Sequence, residues 1–126
     1  MSEGASILAV EDDARNAALL RAALVPAGYR LTVVTSLAEA RSWLVEARPD
    51  LVLLDVGLPD GSGLELAREL RASTPSADIP IIVSSARVLA ADRAAADEAG
   101  CDAFLAKPLS LSELLSTVAE YVSAKP

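Results

Sequence analysis

Short apolar segments alternate with longer segments of helical character along the chain. The apolar segments cover residues 7–10, 31–34, 51–54, 81–83 and 103–105. The last helical segment is the clearest, because its apolar residues recur at the spacing of one helix face. They are Leu111, Leu114, Leu115, Val118 and Val122. The pattern predicts five strands, each followed by a helix.

Strands that alternate with helices form a parallel sheet with helices on both faces. The unbroken apolar segment 51–54 suits a strand covered on both sides. Right-handed crossovers place the carboxyl ends of all strands at one edge of the sheet, where ligands bind in such folds. The sequence therefore predicts an α/β fold of the doubly wound type.

Helix boundaries are also marked in the sequence. Three helical segments open with the S-x-x-E spacing of a capping box, in which each side chain accepts a hydrogen bond from the other residue's amide. The pairs are Ser36/Glu39, Ser62/Glu65 and Ser110/Glu113. Gly28 and Gly100 close two other segments, where a left-handed cap is expected.

Composition narrows the functional classes. The 126 residues suit one domain, contain no apolar run near the ~20 residues of a membrane span, and begin without the pattern of a signal peptide. Cys101 is the only cysteine and histidine is absent, which excludes an internal disulfide, a Cys/His zinc site and a histidine-based nucleophile. The net charge of −7 argues against direct nucleic-acid binding. We expect a cytoplasmic protein without membrane contact.

Polar side chains follow four of the five predicted strands. They are Glu11, Asp12 and Asp13 after the first, Asp55 after the third, Ser85 at the end of the fourth, and Lys107 after the fifth. Taken singly, each has an ordinary interpretation: a helix-capping aspartate, a turn serine or a solvated lysine. Their joint placement at one sheet edge, in a chain with nine arginines and two lysines, favours a functional site.

Carboxylates forced together repel, and a hard cation with oxygen ligands relieves this repulsion. Magnesium fits best, with manganese as the alternative, because magnesium keeps some of its waters and accepts a phosphoryl oxygen. A carboxylate can also act as a nucleophile and become an aspartyl phosphate. Asp55 is then the nucleophile, with the cation on Asp12 and with Lys107 and Ser85 binding phosphoryl oxygens.

Four motifs together resemble the receiver domain of bacterial two-component response regulators, the CheY-like superfamily. They are I-L-A-V-E-D-D at 7–13, D-V-G-L-P-D-G-S-G at 55–63, S-S-A at 84–86 and K-P at 107–108. The likeness covers essentially the whole chain, and Asn16 is similar to the residue found in DivK-like receivers. The resemblance implies a (βα)5 flavodoxin-like sandwich with strand order 2-1-3-4-5. We expect one receiver domain over residues 1–126, with a core of about 6–123, of the stand-alone type and without an output domain.

The resemblance also implies the roles of the site residues. Asp55 receives a phosphoryl group from a histidine of a sensor kinase or phosphotransfer protein. Asp12 binds magnesium directly, Glu11 binds it through water, and the backbone carbonyl of Gly57 is a further ligand. Lys107 pairs with the acidic site, and the Lys107–Pro108 peptide bond is cis. The protein is then a phosphoacceptor with self-catalysed transfer and dephosphorylation, not a dedicated enzyme.

Signalling in such receivers uses a conformational switch. The resemblance assigns the switch to Ser85 and Phe104, which alter the surface of the fourth helix, fifth strand and fifth helix, where a downstream protein binds. Gly57 and Arg87 stand where receivers vary in phosphoryl lifetime, and we predict that Arg87 lies over the phosphoryl group. Expected oligomeric states are a monomer or a phosphorylation-dependent dimer. The donor is expected to dock on Arg15, Asn16, Leu19, Leu58, Pro59, Pro108 and Leu109.

The sequence conflicts with two of three alternative functions. A haloacid-dehalogenase-type phosphatase needs a second aspartate two residues after the nucleophile, where this chain has Gly57. A dinucleotide site needs G-x-G-x-x-G after a strand, but Leu66 occupies the third glycine position and no strand directly precedes the motif. The serious alternative is a receiver that acts as a protein-interaction module without being phosphorylated.

Overall fold

A computed structural model describes residues 4–73, 76–87 and 89–123. Five helices lie in this part of the chain: α1 (Ala14–Leu24), α2 (Leu37–Glu46), α3 (Gly63–Ala72), α4 (Ala90–Glu98) and α5 (Leu111–Ser123). The strands are β1 (Ser6–Val10), β2 (Arg30–Val34), β3 (Leu51–Asp55), β4 (Gly57–Leu58), β5 (Gly61–Ser62), β6 (Ile81–Ser85) and β7 (Ala103–Ala106). Among the described residues, no helix has the length and apolar character needed to cross a bilayer.

The main sheet has five parallel strands in the order β2-β1-β3-β6-β7. Strands β4 and β5 form a separate antiparallel hairpin of two residues each, which shifts the numbering. The fourth and fifth strands predicted from the sequence are therefore β6 and β7, and the predicted order 2-1-3-4-5 is confirmed. The α/β class and the flavodoxin-like topology are confirmed with it.

Each face of the sheet packs against its own helices. On one face, Leu8 and Val10 of β1 join a buried cluster with residues of α2, α3 and α4. On the other face, Ile7 and Ala9 of the same strand join residues of α1 and α5. All five residues of β3 are buried, as expected for the central strand of a sheet covered on both sides. This packing holds the carboxyl end of β3 in the middle of the sheet edge.

Of the three predicted capping boxes, the one at α3 is complete among the described residues. At α2, Glu39 N donates to Ser36 Oγ at 3.1 Å, but Glu39 Oε1 accepts from Thr35 N at 2.7 Å instead of from Ser36 N, so only half of that box forms. Ser62 and Glu65 form the complete reciprocal box at the start of α3, with Ser62 N donating to Glu65 Oε2 at 2.9 Å and Leu64 N donating to Ser62 Oγ at 3.2 Å. Gly28 and Gly100 have positive φ angles of 99° and 93°, which favour glycine. The Ser62 cap therefore fixes where the loop after β3 ends and α3 begins.

Candidate functional site

The site lies at the edge where β1, β3, β6 and β7 end. Asp55 is the last residue of β3 and Ser85 is the last residue of β6. Glu11 directly follows β1, and Lys107 directly follows β7. The strand order makes β1 and β6 the two neighbours of β3, so the topology surrounds Asp55 with the predicted site residues.

Lys107 connects two buried carboxylates. Its Nζ lies 3.1 Å from Asp55 Oδ1 and 3.2 Å from Glu11 Oε1. The side chains of Glu11 and Asp55 are only 3% and 9% exposed, so each needs a charged or hydrogen-bonding partner. The structure brings together the lysine and the acidic residues that the sequence places at separate strand ends.

Burial and neighbouring charges shift the pKa values of Glu11 and Lys107. Burial is the largest influence on Glu11 and raises the pKa of its carboxyl, which the Asp13 amide and Lys107 only partly offset. For Lys107, burial opposes the charge, but the hydrogen bond and charge of Asp55 and the charge of Glu11 outweigh it, so the pKa of Lys107 is raised. Lys107 is therefore held as a cation throughout the neutral range.

Three carboxylates form a cluster that could hold a metal ion. Ligand oxygens of Glu11, Asp12 and Asp55 all lie within 4.8 Å of one another, and Asp12 is the exposed member. Three carboxylates and the Lys107 ammonium leave two negative charges, which a divalent cation balances. The donors are all hard oxygen atoms, so the set fits magnesium.

Asp13 has a different role from its two acidic neighbours. Its Oδ1 accepts hydrogen bonds from Arg15 N at 2.8 Å and Asn16 N at 3.1 Å, so it caps α1. These amide hydrogen bonds lower the pKa of Asp13. Its own N–H donates to Glu11 Oε2 at 3.1 Å. Asp13 is therefore a helix-capping aspartate, the ordinary role of an aspartate that follows a strand. Its backbone amide also orients the Glu11 side chain.

Ser85 is buried at the end of β6, and its Oγ accepts a hydrogen bond from Arg87 N at 3.0 Å. The Arg87 side chain is 77% exposed, and its Nε lies 3.7 Å from Asp92 Oδ1 in the first turn of α4. The guanidinium of Arg87 lies beside Asp92 here, and its position over a phosphoryl group stays a prediction. The hydrogen bond already joins the backbone amide of Arg87 to the hydroxyl of Ser85.

Phe104 lies half-buried in β7, on the face that packs against α4. The guanidinium carbon of Arg93 in α4 lies 4.7 Å from the centroid of its ring, a distance suited to a cation–π interaction. Sequence reasoning did not identify Arg93, because nothing in the spacing of 93 and 104 relates a helix residue to a strand residue. The Lys107–Pro108 peptide bond is cis.

The predicted docking residues belong to α1 and to the segments that follow β3 and β7. Arg15 is exposed and Asn16 and Leu19 are half-buried in α1. Leu58 and Pro59 belong to the hairpin segment after β3, and Pro108 and Leu109 follow β7. The exposed members are Arg15, Pro59 and Pro108.

Cys101 lies outside this site, in the segment before β7. It is half-buried, and burial raises the pKa of its thiol to about 11. The thiol is therefore protonated at neutral pH, which makes it a poor nucleophile.

Comparison with known proteins identifies the family. Residues 7–119 match the family model described as the response regulator receiver domain. The chain belongs to this family. The family predicted from the four sequence motifs is confirmed, and the chain is a receiver domain of two-component signalling.

Individual relatives differ in how much of their length this receiver spans. The KDP operon transcriptional regulatory protein KdpE of Escherichia coli is 39% identical over 109 residues, which are 86% of this receiver and 47% of KdpE. The polar-differentiation response regulator DivK of Brucella anthropi is 32% identical over 117 residues, which are 93% of this receiver and 95% of DivK. The receiver therefore spans nearly all of DivK and about half of KdpE.

A solved receiver structure is similar to this chain over nearly its whole length. The receiver domain of the sensor histidine kinase PA1611 from Pseudomonas aeruginosa was solved with a magnesium ion coordinated in its active-site cleft. It is 34% identical to this receiver, with a TM-score of 0.87, and the match covers 96% of this receiver and 99% of that chain.

Proposed function

We propose that this receiver accepts a phosphoryl group on Asp55 from the phosphohistidine of a sensor kinase or phosphotransfer protein, in a magnesium-dependent reaction. The observation that carries the proposal is the joint position of Lys107 and the cluster of Glu11, Asp12 and Asp55. The cluster offers oxygen ligands for the cation, and Lys107 offers a fixed positive charge beside the nucleophile. The protein then acts as a phosphoacceptor in signalling and not as a dedicated enzyme.

The chemistry follows from these positions. A carboxylate oxygen of Asp55 attacks phosphorus, an O–P bond forms, and the P–N bond to the donor imidazole breaks with its electron pair passing to nitrogen. Asp12, Asp55 and the Gly57 carbonyl would hold magnesium directly and Glu11 would hold it through water. Bound there, the cation neutralises charge on the phosphoryl oxygens. Lys107 Nζ already contacts Asp55, so it needs little movement to reach a phosphoryl oxygen.

The proposed switch begins at Ser85. Its Oγ accepts from Arg87 N, which leaves the hydroxyl proton free to donate to a phosphoryl oxygen. Movement of Ser85 toward the phosphoryl group opens space for Phe104, and the surface formed by α4, β7 and α5 changes as the population shifts. A downstream protein would bind this surface.

The alternative function is an interaction module that is never phosphorylated. Both functions predict a folded receiver, but only the first predicts a covalent adduct on Asp55. The test is the intact mass of the protein after incubation with acetyl phosphate and Mg²⁺, beside Asp55→Asn and a sample with chelator. We expect one phosphoryl adduct, absent from the variant and from the chelated sample.

Asp78→Asn is the matched control, because Asp78 is an exposed aspartate that precedes β6 at the opposite edge of the sheet. It should form the adduct like the unmodified protein. If the unmodified protein forms no adduct with either acetyl phosphate or a phosphohistidine donor, the result would contradict the proposal and favour the interaction module.

Arg87 supplies a prediction about phosphoryl lifetime. If its guanidinium leaves Asp92 to cover the phosphoryl group, Arg87→Ala should speed dephosphorylation several-fold, because water reaches phosphorus more easily. Asp92→Asn should slow it, since this change frees Arg87 from its partner. The measurement is the decay of the adduct after the phosphodonor is removed. An unchanged rate in Arg87→Ala would exclude this role.

A further inference from the structure

Asp60 connects the loop of the phosphoacceptor to a different helix. It lies in the turn between β4 and β5, five residues after Asp55. Its Oδ1 accepts a hydrogen bond from Leu37 N at 2.9 Å, and its Oδ2 accepts one from Ala38 N at 3.0 Å. Both amides belong to the first turn of α2, where helical N–H groups have no partner within the helix. A single carboxylate thus joins two segments that are more than 20 residues apart.

This contact is additional to the local cap of α2. Ser36 Oγ accepts from Glu39 N at 3.1 Å, which is the usual N-cap hydrogen bond. Asp60 takes the two amides that Ser36 leaves free. Hydrogen bonds from Leu37 and Ala38 lower the pKa of Asp60, so it is anionic at neutral pH. An anion at the positive end of a helix makes a favourable interaction.

The hairpin has little internal stability. Each of its strands has two residues, and an isolated two-stranded hairpin is at best marginal in water. The hairpin glycines at 57 and 61 raise the conformational entropy that ordering must overcome. Contacts with the rest of the fold therefore decide the conformation of this loop.

A second contact joins the hairpin to α2. Gly61 has a φ of 146°, and a Cβ there would lie 2.9 Å from Leu37 Cδ1 and 2.8 Å from Glu65 Oε2. The hairpin backbone therefore packs directly on Leu37, which is fully buried. Asp60 and Gly61 together fix the hairpin on the first residue of α2.

Gly57 belongs to the same hairpin and pairs with Ser62. It lies two residues after Asp55, and its N–H is 3.4 Å from Asp55 Oδ1. The direction of its carbonyl, the backbone ligand in the proposed function, therefore depends on how the hairpin is held. We propose that Asp60 is a positioning residue, which clamps the hairpin to α2 and so preorganises the Gly57 carbonyl for the cation. This inference rests on the proposed function.

The test compares Asp60→Ala, Asp60→Asn and Ser36→Ala in Mg²⁺ titrations followed by amide chemical shifts. We expect the Mg²⁺ dissociation constant to rise about tenfold in Asp60→Ala, by analogy with the loss of groups that orient metal ligands. Asp60→Asn keeps one acceptor oxygen and should give a smaller rise. Ser36→Ala weakens the cap of α2 without touching the hairpin, so it should leave the constant unchanged.

Hydrogen exchange of the Gly57 and Ser62 amides without metal gives the second readout. It should accelerate in Asp60→Ala and not in Ser36→Ala. Equal effects of the two variants would mean that Asp60 acts only on helix stability, and no effect of Asp60→Ala would also overturn the proposal. Failure of the unmodified protein to bind Mg²⁺, with the same result for Asp12→Asn, would contradict the proposed function. The exchange measurement needs no metal, so unchanged exchange in Asp60→Ala would separately contradict the positioning role of Asp60.

Discussion

Gly63→Ala is expected to displace the end of the phosphoacceptor strand. Gly63 is the first residue of α3, and a Cβ there would overlap the backbone carbonyl oxygen of Asp55 and lie 3.1 Å from its carbonyl carbon. Because these are backbone atoms of the central strand, the clash cannot be relieved by turning a side chain. We expect the free energy of unfolding to fall by about 1–3 kcal/mol, the usual cost of overpacking. Formation of the Asp55 adduct should slow at the same time.

Gly57→Ala is the matched control for the steric argument. It lies in the same loop, but a Cβ there has no atom within 4 Å among the described residues, and its φ is not in the left-handed region. It should leave the free energy of unfolding close to that of the unmodified protein. Urea denaturation followed by circular dichroism measures both variants. Equal losses in the two variants would show that the contact with Asp55 is not the cause.

Arg71→Ala is expected to destabilise the opposite edge of the sheet. From α3, Arg71 donates to three carbonyl oxygens: Gly100 at 2.9 Å, Ile79 at 2.6 Å and Ala77 at 3.2 Å. It also pairs with Asp102 Oδ2 at 2.7 Å. This one side chain connects α3, the segment before β6 and the segment before β7.

The cost of its removal follows from the groups left behind. Each hydrogen bond to a charged group contributes about 1.5–3 kcal/mol, and water replaces part of this because the Arg71 side chain is 24% exposed. The carbonyl of Ile79 belongs to a residue that is 1% exposed, so water replaces that bond least. We expect the free energy of unfolding to fall by about 2–4 kcal/mol.

Two variants test whether the hydrogen-bond pattern matters. Arg68→Ala removes an exposed arginine from the same helix and should change the free energy of unfolding only slightly. Arg71→Lys keeps the charge but loses the fork of donors, so it should recover little of the loss. Thermal or urea denaturation of all three proteins gives the comparison. A similar stability of Arg71→Ala and Arg68→Ala would contradict the proposed network.

The Arg71 network also changes the interpretation of Gly100. The sequence predicts this glycine as a helix cap, and its φ of 93° agrees. In addition, a Cβ at this position would lie 2.7 Å from Arg71 Cγ. Glycine at position 100 therefore allows both the left-handed cap that ends the helical segment and the close approach of the Arg71 side chain.

The sequence by itself determined the fold class, the strand order through its family resemblance, and the residues at the sheet edge. Such features depend on local signals: apolar periodicity, S-x-x-E caps, and polar residues directly after strands. Parallel topology then carries Glu11, Asp12, Asp55, Ser85 and Lys107 to one place whatever their separation along the chain.

Only the tertiary structure decided how distant side chains pair. Asp60 reads as an ordinary turn residue in a P-D-G sequence, yet it binds amides 22 and 23 residues away. In the sequence, Arg71 and Arg93 have the pattern of solvated helix residues. In the structure, Arg71 connects three segments and Arg93 lies over the Phe104 ring. Periodicity shows which face of an element is buried but not which residue of another element faces it. The pairing depends on helix orientation and rotamer, which are fixed only when the whole core packs.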